Sequence, residues 1–231
     1  MTHVSRPFVL KSSPIHCREE ARAVPSPVKT VLWQVDVQRD FMLPGGALYV
    51  QGAERLIPNI HRLVGLARSG NAFLISSACQ HSPNDPEFSV FPPHCLRGTP
   101  GADLIPEARG NSLYTVPNDG AFALPGDLLE YEQVMFEKQN IDVFSNPHVA
   151  RVVGRFARDT EFIVFGVVTE YCVRMAANGL LDRGYRVAVV EDAIETLDKQ
   201  AGAQTIAQLA ARGARLVLTS EVGRRAPISK E

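Results

Sequence analysis

The feature that most constrains this chain is its alternation of short, mainly apolar runs with segments of helical period. The runs are Thr30-Val31-Leu32-Trp33-Gln34-Val35, Ala72-Phe73-Leu74-Ile75-Ser76, Gln133-Val134-Met135-Phe136-Glu137, Phe162-Ile163-Val164-Phe165, Arg186-Val187-Ala188-Val189-Val190 and Arg215-Leu216-Val217-Leu218. Between them Leu56, Ile60, Leu63, Val64 and Ala67 mark one helix face that ends at Ser69-Gly70. Val149, Val152, Val153 and Phe156 mark a second face, Ala176, Ala177, Leu180 and Leu181 a third, and a further helix falls near residues 200–212. A strand with one wet face alternates apolar and polar residues, whereas a strand covered on both faces is apolar throughout. The pattern therefore predicts a three-layer α/β/α sandwich around a mostly parallel sheet. The chain contains no G-x-G-x-x-G, so a dinucleotide site of the usual kind is unsupported and no organic cofactor is expected.

The 231 residues suffice for one large domain with a full core and are too few for two comfortable ones. A net charge of -1 gives no reason to expect a nucleic-acid or anionic-membrane partner, and no apolar run is long enough to span a bilayer. Pro7-Phe8-Val9-Leu10 is too short for a signal-peptide core. Cys17, Cys79, Cys95 and Cys172 form no paired framework, which suits a reducing cytosol, so the expected location is cytoplasmic. Residues 1–29 mix Ser, Pro, Arg and His without a period and read as an N-terminal extension to a domain at 30–231. An arm of this kind can lie on a neighbouring subunit, and a homo-oligomer is expected.

Chemistry concentrates at strand ends. After Phe162–Phe165 the run stops at Gly166, and Thr169 reads as a helix N-cap, which puts Cys172 at the third helical position. Unpaired N–H groups there favour a thiolate, the nucleophilic form of cysteine. A small buried cysteine under a strand-to-helix turn is the alternative. Asp36 and Lys138 likewise sit just beyond the C-terminal ends of two other strands, the edge where open parallel sheets bind ligands. Taken singly, Asp36 could start a turn and Lys138 could be a solvated loop charge. The irregular stretch from Cys79 to Gly110, rich in Pro, His and Gly, is long enough to suggest a functional loop.

Four segments together resemble the isochorismatase-like cysteine hydrolases: Asp36-Val37-Gln38-Arg39-Asp40-Phe41, Glu137-Lys138, Phe91-Pro92-Pro93-His94-Cys95 with Gly98-Thr99-Pro100-Gly101-Ala102, and Gly166-Val167-Val168-Thr169-Glu170-Tyr171-Cys172-Val173. The Pro-Pro-His-Cys and Gly-Thr-Pro-Gly-Ala segments are most similar to those of nicotinamidases (pyrazinamidases). The likeness runs from about Thr30 to Val222 and implies a Rossmann-like α/β fold and a cysteine amidohydrolase that cleaves a small primary amide through a thioester. It implies Cys172 as nucleophile, Asp36 as general acid/base and Lys138 as the cation that orients both. It also implies a cis peptide between Val167 and Val168, with the N–H groups of Val168 and Cys172 as oxyanion hole. Phe41, Phe91 and Tyr171 match pocket positions; Phe91 stands where Trp is common, and Tyr171 where His is frequent.

The resemblance departs at its metal site. The family's Asp-x-His pair, a further residue downstream and the His of Pro-Pro-His correspond here to Cys79, His81, Glu87 and His94. A thiolate, two imidazoles and a carboxylate are acceptable ligands for one divalent ion, zinc foremost. The alternative is a relative without metal that acts on another carboxamide, carbamoyl compound or vinyl ether, with His81 and His94 bonded to loop carbonyls. A non-catalytic binding domain that keeps the fold is a further alternative, opposed by retention of all three catalytic residue types.

Overall fold

The computed structural model describes residues 30–223; the expected extension at 1–29 and the last eight residues lie outside them. Seven strands make one sheet in which every neighbouring pair is parallel. They are β1 (Thr30–Val35), β2 (Phe73–Cys79), β3 (Leu113–Val116), β4 (Gln133–Lys138), β5 (Glu161–Gly166), β6 (Arg186–Ile194) and β7 (Arg215–Val217). Their order across the sheet is β3-β4-β2-β1-β5-β6-β7. Helices α1 (Arg39–Met42) and α2 (Ile57–Arg68) cover one face. Helices α3 (Val149–Val153), α4 (Arg174–Asp182) and α5 (Lys199–Ala211) cover the other.

The apolar runs buried on both sides account for this layering. Along β1, Val31, Trp33 and Val35 enter the core under α3 and α4, while Leu32 enters the core under α2. Along β5, Phe162 and Val164 join the first core, and Ile163 and Phe165 the second. Each such side chain fully removed from water contributes about 1.5–3 kcal/mol, so the central strands anchor both layers.

Several boundaries differ from the sequence expectation. The strand expected at 72–76 starts one residue later and runs on to Cys79, because Ser77, Ala78 and Cys79 are small residues that stay fully buried. Strand β6 continues past Val190 to Ile194, through an exposed Glu191, after a register shift against β5. Strand β3 was not anticipated: it is a short edge strand whose Leu113 and Tyr114 are only half buried and whose Thr115 is exposed. Helix α3 stops before Gly154, and Phe156 reaches the core from beyond the helix end.

Register sets up the working edge. Cys79 pairs with Lys138 at the ends of β2 and β4, and Val35 pairs with Gly166 at the ends of β1 and β5. Gly166 has φ +116°, and a Cβ there would fall 2.1 Å from the Val35 carbonyl oxygen. Only glycine lets β5 turn this close to the end of β1.

Candidate active site

Asp36 follows β1 directly, Lys138 closes β4, and Cys172 lies on the one-turn helix Thr169–Val173 between β5 and α4. Although scattered in sequence, the three meet. Lys138 Nζ is 2.9 Å from Asp36 Oδ2 and 3.5 Å from Cys172 Sγ. Asp36 and Lys138 are each 1% exposed, so this is a buried ion pair, while Cys172 is half-buried. Asp36 adopts φ +49°, an uncommon conformation for a residue with a side chain, and its N–H donates to the Ser77 carbonyl at 3.0 Å. The end of β2 thus fixes the backbone that aims this carboxylate.

The Val167–Val168 peptide is cis. Val168, extended at φ -97° and ψ 139°, is the N-cap, and its carbonyl accepts the N–H groups of Tyr171 and Val173, each at 3.1 Å. The expected N-cap, Thr169, does something else: its N–H and its hydroxyl both donate to the Glu195 carbonyl, at 2.9 and 2.8 Å. Cys172 is therefore the fourth residue of a wide π-type turn and not the third of an α-helix.

Electrostatics in this pocket oppose each other. Burial pushes the Cys172 thiol well above its ordinary range, Lys138 pulls it back, and Asp36 pushes it up again. The outcome is upward, against the thiolate that the helix start and Lys138 alone suggested. For Lys138 burial works against the charge, but Asp36, followed by the neighbouring sulphurs, outweighs it and holds the ammonium well above the usual lysine range.

A second cluster shares the same lysine. Cys79, His81 and His94 are buried, and one donor atom from each lies within 4.8 Å of the others. Gln38 brackets Cys79, accepting its N–H at 2.8 Å and donating to its carbonyl at 2.8 Å. Lys138 Nζ donates to Cys79 Sγ at 2.9 Å, and burial, opposed by Lys138, holds that thiol well above its ordinary range. His94 Nδ1 donates to the Pro92 carbonyl at 2.8 Å, which leaves Nε2 with its lone pair; burial lowers the pKa and keeps the ring neutral. His81 Nε2 is buried without a hydrogen-bond partner, and Nδ1 approaches Asp85 Oδ2 at 3.0 Å without hydrogen-bond alignment. Two buried imidazoles, one with an orphaned nitrogen, and a convergent thiol fit a divalent ion such as zinc. Glu87 sits at the margin, with Oε1 3.9 Å from His94 Nε2.

Aromatic rings wall the space above. Phe91 stands edge-on to Tyr171 at 5.5 Å and to His94 at 6.4 Å, and Phe41 lies 5.2 Å from His94. Of the three aromatic residues expected around a pocket, Phe41 and Phe91 flank the His94 imidazole and Tyr171 joins them through Phe91. A flat ring suits such walls.

The family model described as the Isochorismatase domain matches residues 30–221. The chain belongs to the isochorismatase family. It is 25% identical to the nicotinamidase of Escherichia coli (strain K12) over 204 residues, 79% of this chain and 91% of that one. It is 29% identical to the nicotinamidase/pyrazinamidase of Mycobacterium tuberculosis (strain ATCC 25618 / H37Rv) over 164 residues, 68% and 82% of the two chains. The crystal structure of the pyrazinamidase of Pyrococcus horikoshii in complex with zinc superposes with a TM-score of 0.65 at 25% identity, covering 82% of this chain and 99% of that chain.

This isochorismatase-family site also uses residues that the sequence reading passed over. Asp85 lies beside His81, Phe88 packs on both His81 and His94 at 5.2 and 5.7 Å, and Gln38 fixes Cys79. Asp40 Oδ2 accepts the Cys95 N–H at 2.7 Å and ties the Pro-Pro-His segment to α1. Asp85 carried a signal, four residues after His81 and directly before a proline. Gln38 and Phe88 carried none, since their roles depend on folding. Among the described residues no helix is long and apolar enough to cross a membrane.

Proposed function

We propose that this isochorismatase-family chain is a cysteine amidohydrolase that cleaves a small, flat primary amide of the nicotinamide type to the acid and ammonia. Family membership and the nicotinamidase relatives support the coarser class, a hydrolase of non-peptide C–N bonds. The observation that carries the finer reading is the convergence of Asp36, Lys138 and Cys172 on one ammonium, 2.9 and 3.5 Å from carboxylate and sulphur.

In this reading Asp36 takes the Cys172 proton as sulphur adds to the amide carbonyl. The N–H groups of Val168 and Cys172 hold the oxyanion, each such donor being worth roughly 10²–10³ in rate. Asp36 returns the proton to the nitrogen, ammonia leaves, and a thioester on Cys172 remains. Asp36 next draws a proton from water, whose oxygen adds to the thioester carbonyl; the acid departs and Cys172 recovers its proton. Lys138 acts throughout by holding the Asp36 carboxylate in place. Phe41, Phe91 and Tyr171 clamp the ring and exclude water.

Cys79, His81 and His94, with Glu87 at the margin, would hold a divalent ion, which would supply Lewis acidity for orienting a heteroaromatic ring. A second reading, a metal-free amidase, is favoured by one contact: the Cys79 thiol already has Lys138 as partner at 2.9 Å. An ammonia-release screen over nicotinamide, pyrazinamide and simple aliphatic amides, with metal content measured on the same sample, separates the two. Turnover of the heteroaromatic amides at about one ion per chain supports the first. Full activity in chelator supports the second, and no release from any amide refutes both.

A further inference from the structure

Glu170 stands two residues before the cysteine, in the middle of the turn, and neither the acid–base chemistry nor the metal cluster uses it. It is 6% exposed, which is unusual for a carboxylate with no cation beside it among the described residues, and it turns away from the pocket toward the loop between β6 and α5. There Oε1 accepts the N–H groups of Leu197 and Asp198, each at 2.9 Å, and Oε2 shares the Thr196 hydroxyl with the Asp198 carbonyl, which lies 2.7 Å from that hydroxyl. Asp198 in turn caps α5 through the Ala201 N–H at 2.7 Å. The adjacent Thr169 makes its two bonds to Glu195 in the same loop. The segment carrying Cys172 is thus fastened by four hydrogen bonds, two of them from backbone N–H groups to one carboxylate, with the Thr196 hydroxyl shared as a fifth contact. Hydrogen bonds to an ionised acceptor are roughly twice as strong as neutral ones.

We propose that Glu170 is a positioning residue: its carboxylate pins the Thr169–Val173 turn to the start of α5 and so holds the Cys172 sulphur and the turn's N–H groups where the reaction needs them. The proposal rests, for its effect on turnover, on the amidase reading above. Glu170 touches no reacting atom. Without it the turn keeps the two Thr169 bonds and can shift by a fraction of an ångström, enough to matter because misplacement of about 1 Å can cost roughly 100-fold in rate.

The test compares Glu170→Ala with Glu170→Gln, which keeps an acceptor for both backbone N–H groups. Two quantities are read: kcat and KM for the best amide of the screen, and the iodoacetamide labelling rate of each cysteine peptide by mass spectrometry. Glu170→Ala is expected to lower kcat by about 10- to 100-fold with KM within about threefold, and Glu170→Gln to restore kcat to within about threefold of wild type. The freed turn should expose the half-buried thiol, so Cys172 should label several-fold faster in Glu170→Ala while the buried Cys79 and Cys95 keep their wild-type rates. Cys172 labelling at the wild-type rate overturns the proposal, and so does a parallel rise at all three thiols, which reports general loosening. If Glu170→Ala does not fold, Thr196→Val removes one donor and is read in the same way, with smaller shifts of the same sign. A wild type that hydrolyses no amide would sink the functional reading, and the labelling comparison would still decide the clamp.

Discussion

Replacing Lys138 by methionine removes one member of a fully buried ion pair and leaves the other. At a separation of 2.9 Å the pair attraction is roughly 6 kcal/mol at an effective dielectric of 20, before the cost of desolvating both ions. That cost takes back much of the gain, but removing a single partner from such a pair typically costs about 3–5 kcal/mol, because an uncompensated charge remains buried. Asp36 is well placed to show this: it is 1% exposed, and its Oδ1 has no hydrogen-bond partner. Lys138→Met should therefore lose about 3–5 kcal/mol of a total near 5–15 kcal/mol, whereas Asp36→Asn/Lys138→Met, with neither charge, should recover at least about 2 kcal/mol of it. Trp33, the one tryptophan and fully buried on β1, reports urea unfolding by fluorescence at pH 7 in chelator and reductant. The four-way comparison of wild type, Lys138→Met, Asp36→Asn and the double variant should show a coupling well above 1 kcal/mol. Single-variant losses that add to within about 0.5 kcal/mol, or a Lys138→Met variant as stable as wild type, would refute the buried-pair reasoning.

Stability should hold over a plateau bounded on both sides by buried groups. Burial raises the thiols of Cys79, Cys95 and Cys172 above their ordinary 9.0 and, against that burial, Asp36 raises Lys138 above 10.5. The folded chain then keeps protons that the unfolded chain gives up, and stability falls as pH rises beyond 9. His94 is lowered from 6.5 by burial, so the unfolded chain binds the proton first and stability falls as pH drops below 6.5. Urea midpoints measured from pH 5 to pH 10.5 in chelator check both edges, and a flat profile above pH 9 would contradict the thiol assignment. At the metal cluster, wild type should carry about one zinc per chain, Cys79→Ala should lose most of it, and Cys79→Asp should keep an ion with a shift toward harder metals. Elemental analysis of the three proteins decides; equal metal in wild type and Cys79→Ala would remove Cys79 from the ligand set.

The parts of this fold that could be read in the sequence are those where burial acts on both faces at once. Strands β1, β4 and β5 are built around the apolar runs at residues 31–33, 134–136 and 162–165, and Asp36, Lys138 and Cys172 stand out because each lies beyond the end of such a run. The parts that stayed hidden have weak or misleading local signals. Strand β3 lies at the sheet edge with Thr115 exposed, so it lacks an apolar run. The end of β2 is made of small residues, which concealed that Cys79 shares a sheet edge with Lys138. Thr169 has the chemistry of an N-cap, yet its hydroxyl is taken by Glu195, a residue 26 positions away. The direction of the Cys172 shift was also out of reach, since the helix start and Lys138 both favour the thiolate, and burial in the folded pocket, joined by Asp36, reverses the balance.

The central claim is that Cys172 carries the acyl group of the substrate. Rapid quenching of wild type with the amide that releases ammonia fastest, followed by mass spectrometry of the Cys172 peptide, tests it directly. The account predicts an acyl adduct on Cys172 in wild type that disappears as free acid accumulates, and neither adduct nor ammonia release from Cys172→Ala. Ammonia release by Cys172→Ala at the wild-type rate, or an adduct on another residue, would contradict it.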